Sequence, residues 1–283
     1  MSKTKYFKYI KWKEDAPYAV CLTHDVDRLV KQWYHYIVYC KKGIKVQIHS
    51  LHEKVKGDEP YNNIKRIAEL EISYGARSTF LFLNESHKEL SVNFLGRYSI
   101  ESDHVVEKIQ WLDEHGFEIG LHGSYYSFNN ATLLKHEKFV LENIVGHPIV
   151  STRQHFLNYD NNTLKLHKSL GLKYDSTVGN KKTTGENFPA FPYYQDGMIE
   201  MPITVMDTVK ITDQSESDMV VKACMNVALR GGLVMLNFHQ RQLRDTEYPF
   251  VLKTYERLLK MARRDSAWIA TMKEIGDYIA CYE

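Results

Sequence analysis

The chemistry-bearing residues of this chain fall in one repeated place, directly after short apolar runs, and that placement constrains the fold more than any other feature. The run 19–23 (AVCLT) leads to Asp25 and Asp27. The run 117–121 leads to His122, and 149–153 ends in Arg153 with His155 just beyond. Asp175 follows 172–174, and His239 follows the apolar stretch 233–238 (LVMLNF). Further strand candidates are 78–83 (STFLFL), 199–201 and 268–271. Between these runs lie stretches of helical spacing, among them 61–74, 105–115, 130–145, 162–170, 216–229 and 248–263. Gly116, Gly146 and Gly171 stand at the expected stops of three of them.

Strand–helix alternation of this kind marks an α/β fold with a parallel sheet. About eight strand candidates favour a closed or nearly closed barrel over an open sheet. In such a barrel the C-terminal strand ends converge on one face, where active sites sit. A random polar residue has no reason to prefer that end. A helical stretch at 29–55, broken near Gly43, reads as an insertion after the first strand, and 183–196, with Gly, aromatics and Pro, reads as a long loop. No repeat or linker divides the chain, so 1–283 is expected to be a single domain carrying a helical insertion at about 29–56.

Composition narrows the partners. Basic and acidic residues number 37 and 35, which gives no electrostatic case for nucleic acid. The four cysteines form no C-x-x-C pair, so a cysteine-built zinc site is not expected. Cys21 reads as a buried core thiol. No leader-like apolar segment and no membrane-length apolar window is present, and the expected location is cytoplasmic.

Each candidate also has a plainer reading. Asp25 and Asp27 could cap a turn after the strand. Two carboxylates that close repel, however, unless a cation or an arginine compensates. His122 could be a satisfied buried imidazole, and Arg153 a surface ion pair. His239 is harder to dismiss, because a buried strand delivers it. His35, His49, His52, His136 and His167 lie in helical stretches and are expected to be solvated. As a set, the strand-end residues have a mechanism. Asp and His suit Zn or a similar first-row divalent ion, which acidifies water and polarises a carbonyl. A second carboxylate can take the water proton, a histidine can protonate the leaving amine, and an arginine can keep the base ionised.

At these residues the sequence resembles the polysaccharide deacetylases, the NodB-homology or carbohydrate esterase family four. THDVD at 23–27 is similar to the first family motif, usually T-F-D-D, and EIGLHGS at 118–124 to the metal-histidine motif. ARSTFLFL at 76–83 is similar to the second strand, STRQHF at 151–156 to the arginine motif, and GLKYDST at 171–177 to the segment after it. LNFHQ at 236–240 resembles the terminal Leu-x-x-His motif. RQHF and EMPITVMD look closer to a branch associated with surface-polysaccharide and O-antigen gene clusters.

The resemblance implies a distorted (β/α) barrel of about seven parallel strands. It implies Asp25 as general base, Asp27 and His122 as metal ligands, Arg153 as the residue that tunes Asp25, and His239 as general acid. The family's second motif is H-x-x-x-H, and position 126 here is Tyr126, a poor zinc ligand. His155 is the expected substitute, ahead of His24. Tyr126, Phe156 and Asp175 are expected to meet the substrate. The implied cofactor is Zn, or Co or Ni in its place. The implied substrate is an acetylated sugar, nucleotide-sugar or oligosaccharide, from which an N-acetyl or O-acetyl group is removed.

Two other readings stand beside this one. A haloacid dehalogenase-like phosphatase also places D-x-D after its first strand, but it leaves His122 and His239 unused. A glycan-binding barrel without turnover would explain the lost second histidine.

Overall fold

The computed structural model describes residues 4–8, 10–39, 43–85, 97–179, 190–207 and 211–282. Its strands are β1 (Lys5–Tyr6), β2 (Ala19–Val26), β3 (Thr79–Leu83), β4 (Glu118–Gly123), β5 (Ser151–Gln154), β6 (Tyr174–Asp175), β7 (Tyr193–Gln195), β8 (Met198–Glu200), β9 (Val205–Met206), β10 (Leu233–Asn237) and β11 (Trp268–Ala270). Its helices are α1 (Trp33–Val38), α2 (Ile44–Val55), α3 (Ile64–Ser73), α4 (Asp103–Glu114), α5 (Ala131–Val145), α6 (Thr163–Ser169), α7 (Gln214–Ala228), α8 (Pro249–Arg264) and α9 (Met272–Ala280).

All the described strands belong to one sheet, ordered β1-β7-β8-β6-β5-β4-β3-β2-β10-β9, with β11 on the first half of β2. From β8 through to β9 every pairing is parallel, as the strand–helix alternation predicts. The sheet curls until one segment serves both ends. Its first half, β8, pairs with β6, and its second half, β9, pairs with β10. Between them the Ile203 amide donates to Val178 O and the Thr204 amide to Met235 O. Pro202, which cannot donate to a ladder, sits at the bend.

The strand pleat separates two apolar clusters. Val20, Leu22 and Val26 of β2 face the helices, with Phe80, Leu121 and Leu259. Ala19 and Cys21 face inward, with Leu81, Tyr174, Met201 and Met235, and plug the barrel floor. Thr23 and Asp25 continue that inward row, because alternate residues share a strand face.

Several sequence expectations need correction. Strand β2 runs to Val26, beyond the expected 19–23, so Asp25 lies on the strand and not on a turn after it. A polar residue is tolerated on the outward face because His24 is fully bonded there. Its Nδ1 meets Phe238 O at 2.8 Å and its Nε2 meets Glu71 Oε1 at 2.7 Å. The expected loop 183–196 contains β7, which forms an antiparallel hairpin with β8. Asp196 and Gly197 make its turn, both at positive φ (50° and 85°). Asp-Gly between short strand-like runs is the ordinary signal for such a turn. Residues 183–189 lie outside the described residues. His35 and His167 are buried rather than solvated, since both point from the inner faces of their helices.

Candidate active site

The strand ends bring six of the nine predicted residues, Asp25, Asp27, His122, His155, Phe156 and His239, to the wall of one cavity of about 400 Å³, which Arg28, His35, Arg97, Gln154 and Arg241 also line, while Arg153 lies behind the wall. Asp25 comes from β2 and Arg153 from β5, and they meet across the barrel interior. Arg153 Nη1 donates to Asp25 Oδ1 at 2.8 Å and to Thr23 Oγ1 at 2.9 Å. Its Nε and Nη2 are held by the carbonyl and hydroxyl of Ser176, each at 2.9 Å. Asn237 Nδ2 donates to Asp25 Oδ2 at 2.7 Å. Arg153 is fully buried, so this is no surface ion pair. Burial alone would raise the Asp25 carboxyl. The Arg153 guanidinium, with His122 and His239, outweighs burial and holds it well below the usual carboxylate range.

Asp27, His122 and His155 converge above this pair. His122 Nδ1 donates to Arg153 O at 2.9 Å, so its Nε2 carries the lone pair. That Nε2 lies 3.5 Å from Asp27 Oδ1 and 3.0 Å from His155 Nδ1. His155 Nδ1 is 3.4 Å from Asp27 Oδ1. Asp27 Oδ1 is buried and has no hydrogen-bond partner among the described residues. A buried carboxylate oxygen left unmatched between two imidazole nitrogens is what an ion's seat looks like from the protein side. The spacing also fits. Ligands at 2.0–2.1 Å around a tetrahedral Zn stand roughly 3.3 Å apart, close to the three separations here. Burial raises the Asp27 carboxyl, but His155 and His122 more than reverse this, and it stays anionic. Burial pushes the His155 imidazole well down, Asp27 pulls the other way, and His122 and Arg97 add to the lowering.

His155 reaches the site through an unusual turn. Strand β5 ends at Gln154, and Phe156 and Leu157 then take left-handed φ values of 58° and 53°. Such non-glycine conformations cost of order 1–3 kcal/mol each and persist where the surroundings fix them. The turn sets Phe156, 40% exposed, on the cavity rim. Gly123, next to His122, leaves room for the end of the Gln154 side chain. A Cβ there would come within 2.4 Å of the Gln154 side chain.

His239 is held by Asp207, which the sequence reading did not single out. His239 Nδ1 meets Asp207 Oδ1 at 2.6 Å, and the His239 amide donates to Asp207 Oδ2 at 2.7 Å. Burial lowers the imidazole, but Asp207 overcomes it and raises His239 above its ordinary value. Its Nε2 faces Asp27 Oδ2 at 3.6 Å. Asp207 stands just past β9, a two-residue strand with no apolar run long enough to flag it.

Two expected substrate contacts sit off the cavity wall. Asp175 is fully buried and bonds His167 Nδ1 at 2.7 Å. His167 Nε2 in turn meets Gln154 Nε2 at 2.9 Å, so Asp175 reaches the site through two intermediaries. Tyr126 packs edge-on against Tyr125, with ring centroids 4.9 Å apart, and does not line the cavity. His24 faces away from the pocket, bonded to Glu71.

The fold is a curled, mostly parallel α/β barrel that gathers the candidate residues at its strand ends. The profile of the WbmS-like polysaccharide deacetylase family matches residues 100–244, just over half of the chain, and the protein belongs to that family. Among solved structures, a Mycobacterium smegmatis protein described as a polysaccharide deacetylase is similar at a TM-score of 0.64 and 16% identity, covering 96% of this chain and 93% of that one. A Pseudomonas aeruginosa protein with the same description gives 0.60 and 14%, covering 94% and 92%. A Bordetella bronchiseptica polysaccharide deacetylase described as involved in O-antigen biosynthesis gives 0.44 and 16%, covering 89% and 82%. No relative is found among curated protein sequences. Among the described residues, no helix is long and apolar enough to cross a membrane.

Proposed function

We propose that this protein is a metal-dependent hydrolase that removes an N-acetyl or O-acetyl group from a sugar, in the cytoplasm, during surface-polysaccharide or O-antigen biosynthesis. The observation that carries the reading is the meeting, in one cavity, of an arginine-paired carboxylate, an Asp–His–His cluster and an aspartate-paired histidine.

Asp27, His122 and His155 would hold the cation, with zinc the best fit to the two nitrogens, one carboxylate oxygen and their spacing. When bound, it would supply Lewis acidity at the acyl oxygen and lower the pKa of a water. Asp25 takes the proton of the attacking water. Arg153 and Asn237 fix the orientation of Asp25. His239, kept protonated by Asp207, gives its Nε2 proton to the departing nitrogen or oxygen. Phe156 meets the sugar at the rim, while Asp175 and Tyr126 act from behind the wall. Arg28, Arg97 and Arg241 on the cavity wall favour an acidic acetylated sugar, such as a nucleotide-sugar, over a neutral one.

The phosphatase alternative leaves the histidines idle and has no counterpart in the family match. The test is acetate release from N-acetylated nucleotide-sugars and oligosaccharides, with added zinc or cobalt and after chelation. Activity that chelation abolishes and the metal restores supports the reading. No acetate from any acetylated sugar with a loaded site moves it to the glycan-binding alternative.

A further inference from the structure

Helix α2, which follows α1 between β2 and α3, is inverted relative to an ordinary surface helix. The buried face of α2 is polar: Gln47 and Ser50 turn inward. They surround the fully buried Lys31, whose Nζ donates to Gln47 Oε1 at 2.8 Å, to Ser50 Oγ at 3.0 Å and to Glu247 Oε1 at 2.6 Å. This polar pin fixes which face of α2 points out. The outward face carries Ile44, Ile48, Leu51 and Val55, spaced four, three and four residues apart and 47–78% exposed. That spacing is one continuous helical stripe. On α1, Trp33 and Ile37 are 72% and 63% exposed. An exposed apolar stripe rimmed by polar residues marks an interaction surface.

The flanking charge selects the partner. Lys45 and Lys56 are exposed, as are His49 and His52. Glu53, the one carboxylate within α2, turns toward Arg244, with Nη2–Oε1 at 3.0 Å. The free face of α2 is therefore apolar with exposed lysines beside it, and α1 adds an exposed tryptophan, Trp33. Two copies meeting symmetrically through it would set like charges against each other. An anionic bilayer surface satisfies both halves, because it takes the apolar stripe into the acyl boundary and pairs the lysines with head groups. Val38, half-exposed on α1, also lines the candidate cavity, as do His35 and Tyr39, so α1 itself stands at the rim of the pocket.

We propose that the outward face of α1 and α2 is a peripheral docking surface for an anionic lipid bilayer, which holds the cavity mouth at the membrane. The inference stands on the two helices and not on the deacetylase reading.

The test is co-sedimentation of the full chain with vesicles of phosphatidylcholine alone and of phosphatidylcholine with phosphatidylglycerol. Binding is expected on the anionic vesicles and should weaken with salt. The triple variant Ile44→Ser, Ile48→Ser, Leu51→Ser removes only exposed side chains and should bind about tenfold more weakly or worse, each lost apolar side chain adding to the effect. Its thermal melt should match the parent's, which separates lost docking from lost folding. A parent that stays off anionic vesicles overturns the proposal, as does a triple variant that binds as well as the parent. A parent dimer that the triple substitution turns into a monomer, with neither binding vesicles, assigns the face to a second copy and equally overturns it. Deacetylase activity enters none of these readouts, so a failed activity assay leaves the result intact.

Discussion

Arg97 Nη2 lies 2.7 Å from His155 Nε2, on the opposite side of the ring from the Nδ1 that faces Asp27. A neutral imidazole has one lone pair. If Nε2 accepts from Arg97, then Nδ1 carries the proton and cannot ligate a cation. Loading the site therefore moves the proton to Nε2 and breaks the Arg97 contact.

Arg97→Met should consequently raise metal affinity, by roughly 10-fold, the low end of effects from groups bonded to a ligand histidine. Competition against a chromophoric chelator reads this directly. Unchanged affinity would show that His155 is not a ligand. His155→Ala should in turn lose most of the bound metal, whereas His239→Ala should keep it.

Arg153 and Asp25 form a fully buried pair in which each needs the other. Arg153→Met leaves Asp25 uncompensated and should destabilise the fold by about 3–5 kcal/mol. Adding Asp25→Asn to that background should recover part of the loss, since no bare carboxylate then remains. Denaturant melts of the two variants check this, and a double variant no more stable than Arg153→Met would argue against the pairing. The depressed Asp25 carboxyl contributes stability above the ordinary carboxylate value of about 3.9. That contribution is lost as pH falls toward its folded value.

Asp207 raises the His239 imidazole, so the acid form persists as pH rises until the folded value is passed. Asp207→Asn removes that support, and burial then lowers the ring. The basic limb of the rate profile should move to lower pH, with turnover at alkaline pH falling most. The pair's contribution to stability is complete below about pH 6.5 and disappears as pH rises through the folded value. A basic limb that does not move would remove His239 from the role of acid.

The outline of this candidate site was legible because parallel strands end on one face and the candidate residues follow apolar runs. Asp25, Asp27, His122, His155 and His239 could be found that way. Asp207 and Asn237 could not. Asp207 follows a strand only two residues long, and Asn237 sits inside an apolar run as a lone amide. Arg97 comes from a non-strand segment, and only the fold brings it to His155. Asp175 was misleading in the other direction: it ends a strand as expected, but its partner His167 on α6 draws it behind the wall. The inverted helix α2 was equally hidden, because a stripe at 44, 48, 51 and 55 reads as buried until Gln47 and Ser50 are seen to face Lys31.

The central claim is that Asp25, on β2, is the base and Asp27, just past the end of that strand, the ligand. Asp25→Asn is close to isosteric and leaves the ligands in place but removes the base; because it also strips Arg153 of its counter-charge, a melt run beside the assay confirms that the variant is folded. Acetate release from an N-acetylated nucleotide-sugar should fall by something like 10²–10⁴-fold, the usual general-base contribution, while metal content per chain stays at the parent's level. An Asp25→Asn protein that turns over as fast as the parent with the same metal content would contradict the account.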